Sequence, residues 1–227
     1  MQRRNLVVAI DGPSGSGKST VARGVAKALG LRYLDTGAMY RAMTWLALQR
    51  GVALDATSGL AALALEARLE VDADPGSPAI SIEGTDVTTA VRGPEVTAAV
   101  SAVSAVPEVR AEMVRRQREL IGEGGIVVEG RDIGTTVVPA AAVKVFLVAD
   151  PAARAARRAR QDEHLGQATA DLAVTQADLA RRDTADSTRV ASPLAQAPDA
   201  VVIDATELDA DGVIREVLDL VAKVEAG

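Results

Sequence analysis

Gly12-Pro13-Ser14-Gly15-Ser16-Gly17-Lys18-Ser19 follows the spacing G-x-x-x-x-G-K-[ST]. Glycines at those positions let the chain turn sharply, so that successive backbone N–H groups point inward. A helix starting at Lys18 would add partial positive charge to the same spot. The chemistry this suits is a nucleoside triphosphate, with Lys18 reaching the β and γ phosphates and the Ser19 hydroxyl on Mg²⁺. The use made of the triphosphate has to come from elsewhere in the chain. A guanine-reading N-K-x-D element is excluded, because Asn5 is the single asparagine. No LSGGQ-like stretch suggests a transporter ATPase, and no basic, aromatic surface suggests a helicase. What remains is a small-molecule kinase, in which an acceptor and a mobile lid meet the γ-phosphate, or a sensor that binds ATP without transferring phosphate.

Further clusters carry polar side chains suited to an anionic acceptor. Asp35-Thr36-Gly37-Ala38-Met39-Tyr40-Arg41 and Gly130-Arg131-Asp132-Ile133-Gly134-Thr135 each follow a short apolar run. Ligands of open α/β sheets sit outside the carboxyl ends of strands, so both clusters are expected at one crevice. Arg41 and Arg131 suit a clamp on a phosphate, and Asp132 can accept from a hydroxyl or an exocyclic amine. Arg154, Arg157, Arg158 and Arg160 follow Asp150-Pro151, and Arg181-Arg182-Asp183, Asp186 and Arg189 come later. Three- and four-residue spacing puts Arg154, Arg157 and Arg158 on one helical face. Arginine on a helix usually marks a solvated face. Two such segments flanking the polar stretch HLGQATAD nevertheless suit a lid closing over phosphates. His164, in that stretch, is expected to be solvated rather than catalytic.

The elements that must position these groups are legible from periodicity. NLVVAID (5–11), LRYLD (31–35), IVVEG (126–130), VKVFLVAD (143–150) and AVVIDAT (200–206) are short apolar runs, as buried parallel strands require. Helical spacing covers 18–29, 38–51, 58–70 and 209–225, and a long stretch over 97–122 is interrupted near Pro107. Two further helices are expected in PAARAARRARQDEHL and ADLARRDTADSTR. Strands alternating with helices imply a parallel sheet covered on both faces. ARLEVD (67–72) and AISIEG (79–84) alternate apolar and polar around turn residues, which predicts an antiparallel hairpin, with DVT (86–88) as a third strand.

Composition narrows the class. The 227 residues contain no cysteine and one histidine, which excludes disulfides, thiolate chemistry and Cys- or multi-His metal sites. A net charge of −6 argues against general affinity for nucleic acid or anionic membrane. Aromatics are 2%, too few for a base-stacking platform, so a nucleobase would be read by hydrogen bonds. The apolar run LVVAI is too short for a signal peptide. A monomer in the cytoplasm is the expectation.

IDGPSGSGKST, LDTGAMYR, EGRDIGT and RRDTADSTRVASPL, in this order and spacing, resemble the bacterial cytidylate kinases, from about residue 5 to 220. The resemblance implies an α/β fold of the P-loop NTPase type: a five-stranded parallel sheet with helices on both faces, an inserted acceptor-binding subdomain with a small antiparallel sheet, and an Arg-rich helical lid. The core would span about 1–35, 120–153 and 190–227, the insertion about 36–119 with its sheet near 67–90, and the lid about 154–189. The implied activity is transfer of the γ-phosphoryl group of ATP to CMP or dCMP with Mg²⁺. Alternative acceptors are UMP, AMP or a non-nucleotide alcohol.

Carried over residue by residue, Gly12, Pro13, Ser14, Gly15, Ser16, Gly17, Lys18, Ser19 and Thr20 would bind ATP, Ser19 also holding the metal. Ser14, Thr36, Arg41, Arg131 and Arg189 match positions around the acceptor phosphate. Ser101, Arg110 and Asp132 match readers of the cytosine edge, and Arg182 with Asp186 match positions near the sugar. Arg154 and Arg158 match lid positions, with the phosphate each touches left open. Lys18, Arg131, Arg158 and Arg189 form the implied catalytic set. Serine is common in the family where Thr36 stands, and the hydroxyl is kept.

Overall fold

A computed structural model describes residues 3–164, 166 and 171–226. Leu165 and residues 167–170, most of the expected lid linker, lie outside the described residues. Eight strands are described: β1 (Val7–Asp11), β2 (Arg32–Asp35), β3 (Leu69–Asp72), β4 (Ala79–Ile82), β5 (Thr85–Asp86), β6 (Ile126–Gly130), β7 (Val143–Val148) and β8 (Val201–Asp204). The helices are α1 (Lys18–Leu29), α2 (Thr36–Gln49), α3 (Thr57–Glu66), α4 (Pro94–Ala105), α5 (Pro107–Ile121), α6 (Pro151–His164), α7 (Leu172–Thr188) and α8 (Ala210–Ala226).

The main sheet is parallel, in the order β2-β6-β1-β7-β8. Every residue of β1 and β6 is buried. Two apolar layers cover the sheet. Leu6, Val8, Ile10, Val25, Leu147, Val213 and Val217 pack in one layer, with side chains from α1 and α8. Ala9, Leu34, Met39, Met43, Leu60, Ile82, Met113 and Ile133 pack in the other, which joins α2, α3, α5 and the small sheet β3-β4-β5. The runs in β1 and β6 are continuously apolar because both sides of those strands are covered. Strand β8, expected to be buried as well, is an edge strand in which Val201 and Val202 are exposed and Ile203 alone is buried.

The structure departs from expectation elsewhere too. The helix expected over 58–70 stops at Glu66, where Ala67 turns extended (φ −62°, ψ 130°). Leu69–Asp72 then pairs antiparallel with Ala79–Ile82, so ladder hydrogen bonds win over helical spacing. The third strand is Thr85–Asp86 rather than 86–88, and pairs with Ser81 and Ile82. Helix α7 begins at Leu172, five residues before the predicted start at 177, because the Asp171 side chain caps it by accepting from Ala173 N–H. A one-turn π helix, Ile133–Val137, follows β6 where no helix was predicted; such turns recur at functional sites. The break near Pro107 is a new helix start, with Pro107 in the first turn of α5. Among the described residues no helix is long and apolar enough to cross a membrane.

Candidate active site

Parallel register decides which strand ends meet. Asp11 of β1 lies beside Gly130 of β6, and Asp35 of β2 lies beside Glu129. The chain leaves these strands into the Gly12–Gly17 loop, α2 and the π turn, so all three exits open onto one crevice of about 1350 Å³. Two glycines make the junction possible. Gly12 has φ +149°, and a Cβ there would lie 2.1 Å from the Leu147 carbonyl oxygen of β7. A Cβ on Gly130 would lie 2.6 Å from Thr36 Oγ1.

On the loop side, Lys18 Nζ donates to Pro13 O at 2.7 Å and to Ser16 Oγ at 3.4 Å. Burial, then the neighbouring Arg131 charge, pushes the Lys18 ammonium down to about 7, against the pull of Glu129, Asp11 and Asp183. The Ser19 hydroxyl donates to Glu129 Oε2 at 3.0 Å, and Tyr33 donates to Glu129 Oε1. Burial and the Asp35 charge raise the Glu129 carboxyl above its ordinary range. A hydroxyl and a carboxylate at the floor of a phosphate loop are hard oxygen donors, which suit Mg²⁺. Among the described residues no group of three or more His, Cys, Asp or Glu could hold a metal. Water and phosphate oxygens would complete the shell.

On the opposite side, α2 is capped by Asp35, which accepts from Ala38 N–H at 2.9 Å and from Arg92 at 2.6 Å. Burial raises the Asp35 carboxyl, but Arg92, the Ala38 N–H and Arg41 outweigh it and hold the group below its ordinary range. Thr36 Oγ1 donates to Glu129 O at 2.7 Å, and Arg41 Nη1 donates to Thr97 Oγ1 at 2.8 Å and Val91 O at 3.1 Å. Arg131 bridges the two sides: Nη2 donates to Ser14 Oγ at 2.9 Å, and Nε to Asp186 Oδ2 at 3.0 Å. Asp132 Oδ2 accepts from Arg110 Nη2 at 2.5 Å, and Arg189 lies 3.8 Å from Asp132 Oδ1. Arg110 also sits 5.2 Å over the Tyr40 ring, a cation–π contact.

Arg41, Arg182 and Arg189 are crowded cations. Burial and then Arg182, Arg92 and Arg158 push Arg41 well below its ordinary value. Burial and then Arg131 lower Arg182 to about 10, and burial and then Arg110 lower Arg189. The buried Arg182 Nε has no partner among the described residues. An anionic phosphate among these groups would relieve both the burial cost and the mutual repulsion.

The crevice therefore collects Ser14, Gly15, Ser16, Gly17, Lys18, Ser19 and Thr20 from the loop side with Thr36, Arg41, Ser101, Arg110, Arg131, Asp132, Arg158, Arg182, Asp186 and Arg189. Gly12 and Pro13 shape the loop without lining the crevice, and Arg154 turns to Ser14 O at 3.0 Å and to Asp183. Arg158 pairs with Asp162 at 2.9 Å. His164 is exposed, with Nδ1 2.8 Å from Arg160 O. Sequence reasoning assigned no role to Glu129, Arg92, Asp183 or Asp11. Asp11 accepts from Ile133 N–H at 2.9 Å and Gly134 N–H at 2.8 Å, which fixes the π turn to the start of the phosphate loop. The one available signal was a carboxylate closing an apolar strand, as at Asp11 and Glu129.

A sequence model described as cytidylate kinase matches residues 8–223. A cytidylate kinase from Streptomyces avermitilis is 49% identical over 223 residues, which cover 97% of this chain and 94% of that protein. One from Nocardia farcinica is 52% identical over 219 residues, covering 96% and 94%. The solved structure of a gluconokinase from Sinorhizobium meliloti 1021 matches with a TM-score of 0.50 at 15% identity, over 99% of this chain and 97% of that one. That last likeness speaks to the fold alone.

Proposed function

The chain belongs to the cytidylate kinase family, and on that premise we propose that its crevice transfers the γ-phosphoryl group of ATP to CMP or dCMP, giving CDP or dCDP and ADP. The observation that carries the reading is the 2.9 Å contact between Ser14 of the phosphate loop and Arg131 of the opposite wall. It puts a triphosphate cradle and a cluster of arginines around Asp132 within one contact of each other.

In this reading the phosphate loop and Lys18 hold the triphosphate of ATP. Ser19 and Glu129 would hold Mg²⁺, which supplies charge neutralisation on the phosphates when bound. Thr36, Arg41, Arg131, Arg182 and Arg189 surround the acceptor phosphate and sugar side. Asp132, oriented by Arg110, accepts from the exocyclic amine of cytosine, a donor that uracil lacks. The nucleophile is an oxygen of the acceptor phosphate, ionised at neutral pH, so no general-base histidine is required. The protein's task is to bring two polyanions together and stabilise the in-line transition state by position and charge. Helices α6 and α7 form the lid that keeps water from the γ-phosphate, between a core and the 36–119 acceptor insertion. The enzyme is read as a cytoplasmic monomer.

Initial rates of ATP consumption with CMP, dCMP, UMP and AMP test the proposal. Turnover should be fastest with the cytidine nucleotides. Turnover confined to another acceptor, or acceptor-independent ATP loss alone, would overturn it.

A further inference from the structure

Every polar group of Ser14 is engaged by a side chain from outside the phosphate loop. Its N–H donates to Asp183 Oδ1 at 2.9 Å, its carbonyl accepts from Arg154 Nη1 at 3.0 Å, and its hydroxyl accepts from Arg131 Nη2 at 2.9 Å. Asp183 Oδ2 in turn takes Arg154 Nη1. Both side chains are sheltered, 11% exposed for Arg154 and 16% for Asp183, and the bonds are charge-assisted, about twice as strong as neutral ones. Neither residue lines the crevice. One turn further along α7, Asp186 holds Arg131 at 3.0 Å. Two carboxylates three residues apart on one helix therefore grip the same loop residue, Asp183 directly and together with Arg154, Asp186 through Arg131.

We infer that Asp183 is a positioning residue: with Arg154 it latches α7 onto Ser14 and so aims Arg182, Asp186 and Arg189 at the acceptor side of the crevice. The inference deepens the kinase reading and rests on it for its catalytic consequence. A surface ion pair would contribute little. This pair spans α6, α7 and the phosphate loop, so its loss loosens the seating of a helix on the loop rather than one side chain. Arg154 accordingly serves Asp183 and the Ser14 carbonyl rather than a substrate phosphate.

The test has a structural arm and a catalytic arm, on wild type, Asp183→Ala, Asp183→Asn, Arg154→Ala and the Asp183→Ala/Arg154→Ala double variant. In the structural arm, hydrogen exchange of the ligand-free enzyme is followed over 172–188. Exchange should be faster in Asp183→Ala than in wild type, because the helix opens locally. In the catalytic arm, kcat/KM for CMP should fall roughly 10- to 100-fold in Asp183→Ala, the scale of a lost hydrogen bond to a charged group, while KM for ATP changes little. Inorganic phosphate released per CDP formed should rise as water enters. Asp183→Asn keeps an oxygen for Ser14 N–H and should lose less. The double variant should be no worse than the worse single one, since one latch is broken either way. Unchanged exchange over 172–188 would overturn the latch, as would losses that multiply. Faster exchange in a protein whose wild type ignores CMP would keep the latch and overturn the kinase reading.

Discussion

The two walls of the crevice are built in opposite ways. The phosphate loop is a run of consecutive residues whose working groups are largely backbone N–H donors, oriented by glycines and by the start of α1. The facing wall is made of side chains on α2, α4, α5, α7 and the loop after β6, drawn from residues 36 to 189. Backbone donors are indifferent to side-chain identity, so a loop of this kind can hold any triphosphate but cannot choose an acceptor. Side chains on separate elements can choose, because each donor or acceptor is set by its own scaffold. Arg131 joins the two walls, touching Ser14 on one and Asp186 on the other.

The largest effect should come from the loop wall. Lys18→Ala is expected to lower kcat by ~10²-fold or more, the scale for one removed electrostatic stabiliser. Among the described residues the hydrogen bonds of Lys18 stay within its own loop, so the variant should still fold, which circular dichroism checks. Near-normal kcat in a folded Lys18→Ala enzyme would deny that the loop handles the transferred group.

Arg131 sits at the joint, so its variant asks which wall it serves. Arg131→Ala should cost ~10- to 100-fold, expressed in KM for CMP and in kcat. KM for ATP should stay near wild type, and lysine should rescue poorly for want of a planar fork. A defect confined to ATP would move Arg131 to the loop wall.

A smaller effect should separate recognition from transfer. Asp132→Asn keeps an acceptor oxygen but adds a donor able to pair with O4 of uracil. The ratio of kcat/KM for CMP over UMP should fall about tenfold, one hydrogen bond's worth. A ratio that does not move would remove Asp132 from base reading.

The finest comparison is in protons. Lys18 lies near 7, below its ordinary 10.5. At pH 8 it is therefore mostly neutral in the free enzyme, and a bound triphosphate, favouring the cation, should draw in up to about one proton. Near pH 6 the group is already charged and uptake should vanish. The sign for stability follows: between the two values the unfolded chain binds the extra proton, so this group's contribution to stability rises with pH. Calorimetric titration with ATP in buffers of different ionisation enthalpy checks the uptake. Equal heats in all buffers at pH 8 would contradict it.

Legibility in the sequence followed the same division. The phosphate loop, the apolar strands and the helix break at Pro107 depend on neighbours a few residues away, and the chain states them directly. The residue types of the facing wall, Arg41, Arg131, Asp132, Arg182 and Arg189, were visible as clusters at strand ends or on helical faces. Their partners were not. Glu129 meets Ser19, and Asp35 lies beside Glu129, only because parallel register aligns β2, β6 and β1. Arg92 reaches Asp35 only because the insertion folds back over α2. The end of α3 at Glu66 was set by a strand partner rather than by helical spacing.

By itself, then, the order of residues determined a triphosphate loop on a parallel α/β sheet with arginine-bearing helices beyond it, because local backbone preferences and periodic burial act over short distances. Tertiary structure alone decided that Asp183 and Arg154 meet at Ser14, and that Asp11 ties the π turn to the end of β1 from which the loop leaves. Those contacts join residues more than a hundred positions apart, and no local rule specifies which distant carboxylate will satisfy a given buried N–H group.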